Sequence, residues 1–337
     1  MGVDLGGIIP ARTISLKDIS GRTIAVDAYN TIYQFLSIIR QPDGTPLMDS
    51  KGRVTSHISG LIYRTSSLLE AGIKPVFVFD GKPHELKRST IKERSDRKVE
   101  AEKDWKEALE RGDVEAARSK AMQTSRLTKE MVEQAKTLLS AMGLPFVQAP
   151  SEGEAQASHM ARKGDVYACA SQDFDALLFG APRLIRNLAI TGRRKLPRKN
   201  TYVDIEPEII ELEETLSSLG VTRERLVDMG YLVGTDFNEG IYGIGPKKAL
   251  KLVKEHPDLG SILKAISQPE TGYAEIQEIF LKPNVTDEYS IVFGKPDRER
   301  IISIVCGEFE FSRERVGGAI EKLEKALAPK QKRLDFF

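Results

Sequence analysis

The amino-acid sequence predicts an α/β fold, a mainly parallel central sheet with helices on both faces, and three observations predict it. Short β-branched and aromatic runs alternate with helical patterns through the first half of the chain. Three of those runs end at an aspartate, and open parallel sheets gather ligands beyond the carboxyl ends of their strands. The chain has 337 residues, 40% of them hydrophobic, enough for one large α/β domain or two smaller ones.

The elements follow in order. RTIAVDAY (22–29) and KPVFVFDG (74–81) predict strands, as do GLPFVQAP (143–150) and DVYACASQD (165–173). Between them TIYQFLSIIR, SHISGLIYRTSSLLEAG, TKEMVEQAKTLLSAMG and EGEAQASHMARKG carry helical periodicity, the last two stopping at Gly143 and Gly164. Ser151 followed by Glu154 has the form of a capping box, and Asp173 stands where it could cap a helix running through ALLFG. From Arg186 to Lys199 the chain holds Arg186, Arg193, Arg194, Lys195, Arg198 and Lys199 with no acid. The run DIEPEIIELEE comes next, so this switch of sign reads as a solvated loop entering a charged helix.

Composition excludes several classes. No stretch approaches a membrane span, and the first residues lack a basic segment ahead of a long apolar one, so secretion is not expected. Cys169 and Cys306 form no CxxC pair, which argues against a disulfide framework or structural zinc and for a reducing compartment. Fifty Lys and Arg against 49 Asp and Glu leave a net charge of +1, but that sum conceals local segregation.

The acids carry the chemistry. Asp27 and Asp80 follow apolar runs, Glu152 and Glu154 follow a strand and a proline, and Asp173 and Asp175 follow another strand. Capping explains any one of them, but not three paired or strand-end acids at one edge of a sheet. A shared cation does. An all-oxygen set suits Mg²⁺ or Mn²⁺, whereas zinc would recruit the four histidines, His57, His84, His159 and His256, which lack ligand spacing. Two such ions roughly 4 Å apart serve phosphodiester hydrolysis, so dependence on divalent metal and loss of activity at low pH are expected.

Two further segments fit a phosphate-bearing substrate. In GIYGIGPKKALKLV (240–253), Gly243, Gly245, Lys247 and Lys248 shape a turn into a helix N-terminus, which seats a phosphate without reading sequence; Asp236 stands just before it. The stretch after Asp80 is highly charged and almost free of large apolar residues, a solvated helical excursion. It leaves the sheet at Asp80, so Lys82, Lys87, Arg88, Lys92 and Arg94 begin beside the acids.

VDAYNTIYQFL, YRTSSLLEAGIKPVFVFDGKPHELK, APSEGEAQASHM, ASQDFDALLFG and GTDFNEGIYGIGPKKAL, in this order, resemble a flap endonuclease of the archaeal and eukaryotic replication type, within the 5′-nuclease superfamily. The resemblance covers nearly the whole chain. It implies seven metal-site carboxylates at Asp27, Asp80, Glu152, Glu154, Asp173, Asp175 and Asp236, two Mg²⁺ per site replaceable by Mn²⁺, and catalytic support from Lys87 and Arg94. Tyr33 would stack on the scissile nucleotide and Arg186 would lie at a basic position near the site. The domain plan implied is an N-terminal nuclease region (1–100), a helical arch (82–130), an intermediate region (116–260), and a C-terminal helical part (261–329). The intermediate region would include a helix–turn–helix module (225–260), which in the family sometimes holds a monovalent cation. The tail (330–337), which ends in QKRLDFF, resembles a sliding-clamp docking motif through Gln331, Leu334, Phe336 and Phe337, although it stops one residue before the usual second aromatic.

The activity implied is 5′-flap cleavage, with 5′–3′ exonuclease action, in Okazaki-fragment maturation and long-patch base excision repair. A monomer acting on branched DNA is expected, in the cytoplasm if archaeal-like and in the nucleus if eukaryotic. A gap or junction nuclease of the same superfamily would share every acid, and a non-catalytic DNA- or clamp-binding scaffold would tolerate their loss. The length of the arch and the clamp tail favour the flap, and all seven acids are present.

Overall fold

Alternating burial on the strands sets the architecture. In β2 (Thr23–Asp27) and β3 (Lys74–Phe79) successive apolar side chains point to opposite faces: Ala25, Val76 and Val78 enter one core, while Ile24, Val26, Phe77 and Phe79 enter a second. A strand buried on both faces needs helices on both sides. The computed structural model describes residues 2–195, 202–269 and 272–328 and shows that arrangement.

β1 (Arg12–Thr13) precedes β2, and α1 (Ala28–Ile38), α2 (Ser56–Glu70) and β3 follow. The charged excursion is α3 (Arg88–Glu110) and α4 (Val114–Ala121), packed on each other through Ala101, Ala108, Ala117 and Ala121. α5 (Lys129–Ala141), β4 (Phe146–Gln148), α6 (Gly153–Lys163), β5 (Ala168–Ala170), α7 (Asp175–Leu178) and β6 (Arg183–Arg186) complete the parallel part. β7 (Gly192–Lys195) and β8 (Tyr202–Ile205) form a separate antiparallel hairpin before β9 (Glu208–Glu211). Seven helices follow: α8 (Leu212–Leu219), α9 (Arg223–Val233), α10 (Pro246–Glu255), α11 (Leu259–Ala265), α12 (Tyr273–Leu281), α13 (Arg298–Ile302) and α14 (Arg313–Leu327).

The seven-stranded sheet has the order β1-β9-β6-β5-β2-β3-β4, with β6, β5, β2, β3 and β4 parallel and β9 antiparallel to both of its neighbours, β6 and β1. From β2 the chain runs outward through β3 to β4, then returns to lay β5 on the other side of β2. That reversal opens a crevice at the carboxyl ends of β2 and β5. α1, α2, α5, α13 and α14 cover one face; α6 to α12 cover the other. Among the described residues no helix is long and apolar enough to cross a membrane.

Three local expectations are corrected. Asp173 caps no helix: α7 starts at Asp175, with Phe174 at its N-cap and no side-chain cap bond. Ser151 forms no capping box, because its hydroxyl donates to the Lys82 carbonyl and α6 begins after Glu152. The acidic run does not open directly into a helix. Ile209 and Ile210 are buried on opposite faces of the sheet, so residues 208–211 are a strand, and α8 starts only at Leu212. The caps go to other acids. Asp27 caps α1 by accepting the Asn30 N–H at 3.0 Å, and Asp80 accepts the first N–H of α6, from Gly153, at 2.6 Å.

Candidate active site

Each acid reaches the crevice because an element stops there. Asp27 ends β2, Asp80 follows β3, Glu152 and Glu154 lie at the start of α6, Asp173 lies between β5 and α7, and Asp175 opens α7. Asp236 arrives from the loop after α9. The fold brings all seven together. Lys87 Nζ bridges Glu152 Oε2 at 2.5 Å and Asp236 Oδ2 at 3.2 Å, and Arg94 pairs with the other oxygen of Asp236. Thr90 fixes the same loop by donating to the Asp236 carbonyl at 2.9 Å.

The electrostatics are those of a crowded, dry cluster. Burial, then the charge of Asp80, pushes the Asp27 carboxyl well above its usual range. Burial raises Asp80 to about 6 even though Lys87 pulls it down, and burial with Asp236 and Asp173 raises Asp175 to about 7. Glu154 is driven up by burial and by Asp175, Asp27 and Asp173; its Oε1 is buried without a hydrogen-bond partner. Asp236 behaves oppositely, because Lys87 and Arg94 together outweigh its burial and hold it below the usual range. Lys87 is itself held firmly protonated: burial opposes its charge, and Glu152, Asp236 and Asp80 outweigh that.

Such a cluster is short of positive charge. Among the described residues no three Asp, Glu, His or Cys side chains already converge as a closed metal cage. A small hard cation keeps much of its water and takes only one or two carboxylates directly. The oxygen-only donor set, the unpartnered Glu154 Oε1 and the raised carboxyls all fit divalent cations.

The other predicted residues fall around this centre. Tyr33 is half-buried on α1, and Lys98 of α3 covers it, with Nζ 3.1 Å from the phenol oxygen and 4.5 Å from the ring centroid. Arg186 is engaged locally: Nε donates to the Gln172 carbonyl at 3.1 Å, Nη1 lies 3.5 Å from Glu208, and the guanidinium stacks on Phe174 at 4.5 Å. Gly243 takes a left-handed φ of +76°, Gly245 is the N-cap of α10 with Pro246 at its first position, and Lys247 and Lys248 are exposed there. Gln331, Leu334, Phe336 and Phe337 lie outside the described residues.

Sequence reasoning missed three participants. Lys98 lies one turn beyond Arg94, and the i, i+4 spacing to that basic residue was the available signal. The N-terminal strap gave none: Val3 N–H donates to Asp175 Oδ1 at 2.7 Å, and a Cβ on Gly2 would come within 2.7 Å of Asp175 Oδ2. Asn30 gave a partial one, standing three residues after Asp27 where an N-capped helix presents an N–H.

Residues 5–101 match the XPG N-terminal domain and residues 143–236 the XPG I-region. The chain is 56% identical to flap endonuclease 1 of Pyrococcus furiosus over 328 residues, covering 97% of this chain and 96% of that one. It is 56% identical to flap endonuclease 1 of Archaeoglobus fulgidus over 335 residues, covering 99% of each. A solved structure of flap endonuclease-1 from Methanococcus jannaschii superposes with a TM-score of 0.78 at 45% identity, over 97% of this chain and 99% of that one.

Proposed function

Because the chain belongs to the flap endonuclease 1 family and is a structure-specific endonuclease of DNA replication and repair, we infer that its seven clustered carboxylates hold the divalent cations on which cleavage depends. The observation that carries this reading is one cluster of seven acids, with Asp27, Glu152, Asp175 and Asp236 buried and Asp80, Glu154 and Asp173 half-buried, whose charge Lys87 and Arg94 only partly offset. Glu154 lies in the field of Asp175, Asp27 and Asp173, while Asp80 lies in that of Glu152 and Asp236, the two acids that Lys87 joins. When bound, two Mg²⁺, or Mn²⁺ in their place, supply the Lewis acidity that activates water and stabilises the departing oxygen.

The chain's own residues do the rest. Lys87 and Arg94, at the base of the arch α3–α4, neutralise charge on the scissile phosphate. Tyr33 offers a ring on which the terminal unpaired nucleotide stacks once Lys98 moves aside. The α9–α10 turn, with Gly243, Gly245, Lys247 and Lys248, grips the duplex backbone, with a monovalent cation as an optional partner, and so positions DNA without reading bases. Arg186 joins that surface only by leaving Glu208. The catalytic body is assigned to 1–100 and 116–260, the arch to 82–130, the duplex-gripping module to 225–260 and the helical remainder to 261–329. Residues 330–337 dock a sliding clamp through Gln331, Leu334, Phe336 and Phe337. A monomer cutting 5′ flaps, with accompanying exonuclease action, in Okazaki-fragment maturation and long-patch base excision repair is the reading these features support. An archaeal-like chain would act in the cytoplasm.

The test compares a 5′-flap duplex, a nicked duplex and a four-way junction, each with Mg²⁺ or EDTA. The flap should be cut fastest, and only with metal. Cleavage surviving EDTA would sink the metal reading, and a junction cut faster than the flap would favour a junction nuclease.

A further inference from the structure

Asn30 touches two carboxylates, one at the end of β2 and one in the loop after β5. Its backbone N–H donates to Asp27 Oδ1 at 3.0 Å, and its side-chain Nδ2 donates to Asp173 Oδ2 at 3.3 Å. One turn along α1, Gln34 Nε2 donates to Asn30 Oδ1 at 2.9 Å. The chemistry fixes which way each amide points. An ionised carboxylate only accepts, so Asn30 must present its NH₂ to Asp173, its oxygen must face Gln34, and Gln34 must present its own NH₂. The amides therefore form a directional chain that ends on a proposed metal ligand. Gln34 Oε1 is buried without a partner, and Gln34 and Asn30 line the same small cavity, of about 20 Å³, with Thr31, Ser171 and Gln172.

We propose that Asn30 is a positioning residue for the cleavage reaction: with Gln34 behind it, it locks Asp173 against Asp27 across the β2–β5 crevice so that both carboxylates face one cation. Elsewhere Asp173 is held by its backbone N–H, which donates to Ser171 Oγ at 3.3 Å, and by Gly2, which packs against its Cβ. Asp27 is anchored by the strand and by its cap on α1. Asn30 transfers that rigidity to Asp173 through a single residue, as outer partners orient ligands at other metal sites.

This inference rests on the carboxylates holding metal, and the experiment separates the two. Mn²⁺ binding to the full chain without DNA is followed by electron paramagnetic resonance for wild type, Asn30→Leu and Gln34→Met. Flap binding in EDTA and the unfolding midpoint are measured in parallel. Asn30→Leu keeps the N–H to Asp27 and removes only the side-chain amide. It should weaken Mn²⁺ about tenfold, with flap binding and the unfolding midpoint little changed; Gln34→Met should act in the same direction, less strongly. Wild type that binds no Mn²⁺ overturns the metal reading. Wild type that binds, beside an Asn30→Leu protein binding within about twofold of it, overturns this inference alone. Loss of flap binding together with Mn²⁺ binding makes the role one of general structure, which also overturns it. Should Asn30→Leu fail to fold, Gln34→Met decides by the same readings.

Discussion

Replacing Asp175 with asparagine should stabilise the metal-free protein at pH 8 while abolishing cleavage. Asp175 is 4% exposed, and burial with Asp236 and Asp173 raises its carboxyl from the usual 3.8 to about 7. A group whose pKa rises on folding binds more protons folded than unfolded between those two values. Stability therefore falls as pH climbs from about 4 to about 7, and above that window the whole penalty is present. At about 1.4 kcal/mol for each tenfold in proton affinity, the ceiling is about 4 kcal/mol. The attraction of Lys87 and the sharing of protons among the neighbouring acids bring the observed gain below that ceiling. Asparagine keeps the shape and an oxygen to accept the Val3 N–H, and it carries no charge. Urea midpoints in EDTA at pH 8 and pH 5, with flap cleavage in Mg²⁺, make the assay. The variant should gain at pH 8, lose that gain toward pH 5 where wild-type Asp175 is already protonated, and cut no flap. A variant destabilised at pH 8, or one gaining equally at both pH values, would refute the argument from buried charge.

Three other predictions follow from the same geometry. Lys87→Ala should slow single-turnover cleavage by about 10² to 10³ with flap binding changed only a few fold, since Lys87 faces the acids and not the duplex module; equal losses in both would assign it to binding. Lys247→Ala with Lys248→Ala should weaken flap binding at every sequence and lower the slope of log affinity against log salt by about 2, at about 1 per lysine; an unchanged slope would remove the α9–α10 turn from the DNA surface. Deleting residues 331–337 should leave cleavage of free flap DNA intact and abolish stimulation by a sliding clamp; retained stimulation would dismiss the tail as the docking segment.

Strand patterns and acid positions were legible in the sequence because both are local. The period-2 alternation of IAV and VFVF places residues on two faces whatever lies elsewhere, and an aspartate at a strand end stays there in the fold. The Gly243–Gly245 turn was legible for the same reason, since a left-handed φ and a proline at a helix start are properties of neighbouring residues. The β9 strand was not. EIIE flanked by acids has a helix's composition, and only its place beside β6 buries Ile209 and Ile210 on opposite faces of the sheet.

The chain alone therefore determined the α/β class, the strand-end and paired acids and the Gly243–Gly245 turn, because those depend on residue type and short spacing, and the resemblance to a known family added Asp236 to the set. Tertiary structure decided which acid does what. The return of β5 to the side of β2 sets Asp173 beside Asp27, leaves Asp27 rather than Asp173 as a helix cap, and puts Asn30 between them. The docking of α3 over the crevice supplies Lys87 and Arg94 to Glu152 and Asp236. A carboxylate's charge costs little in water and much in a dry cluster, so its role is settled by what surrounds it, and contacts between distant segments set those surroundings.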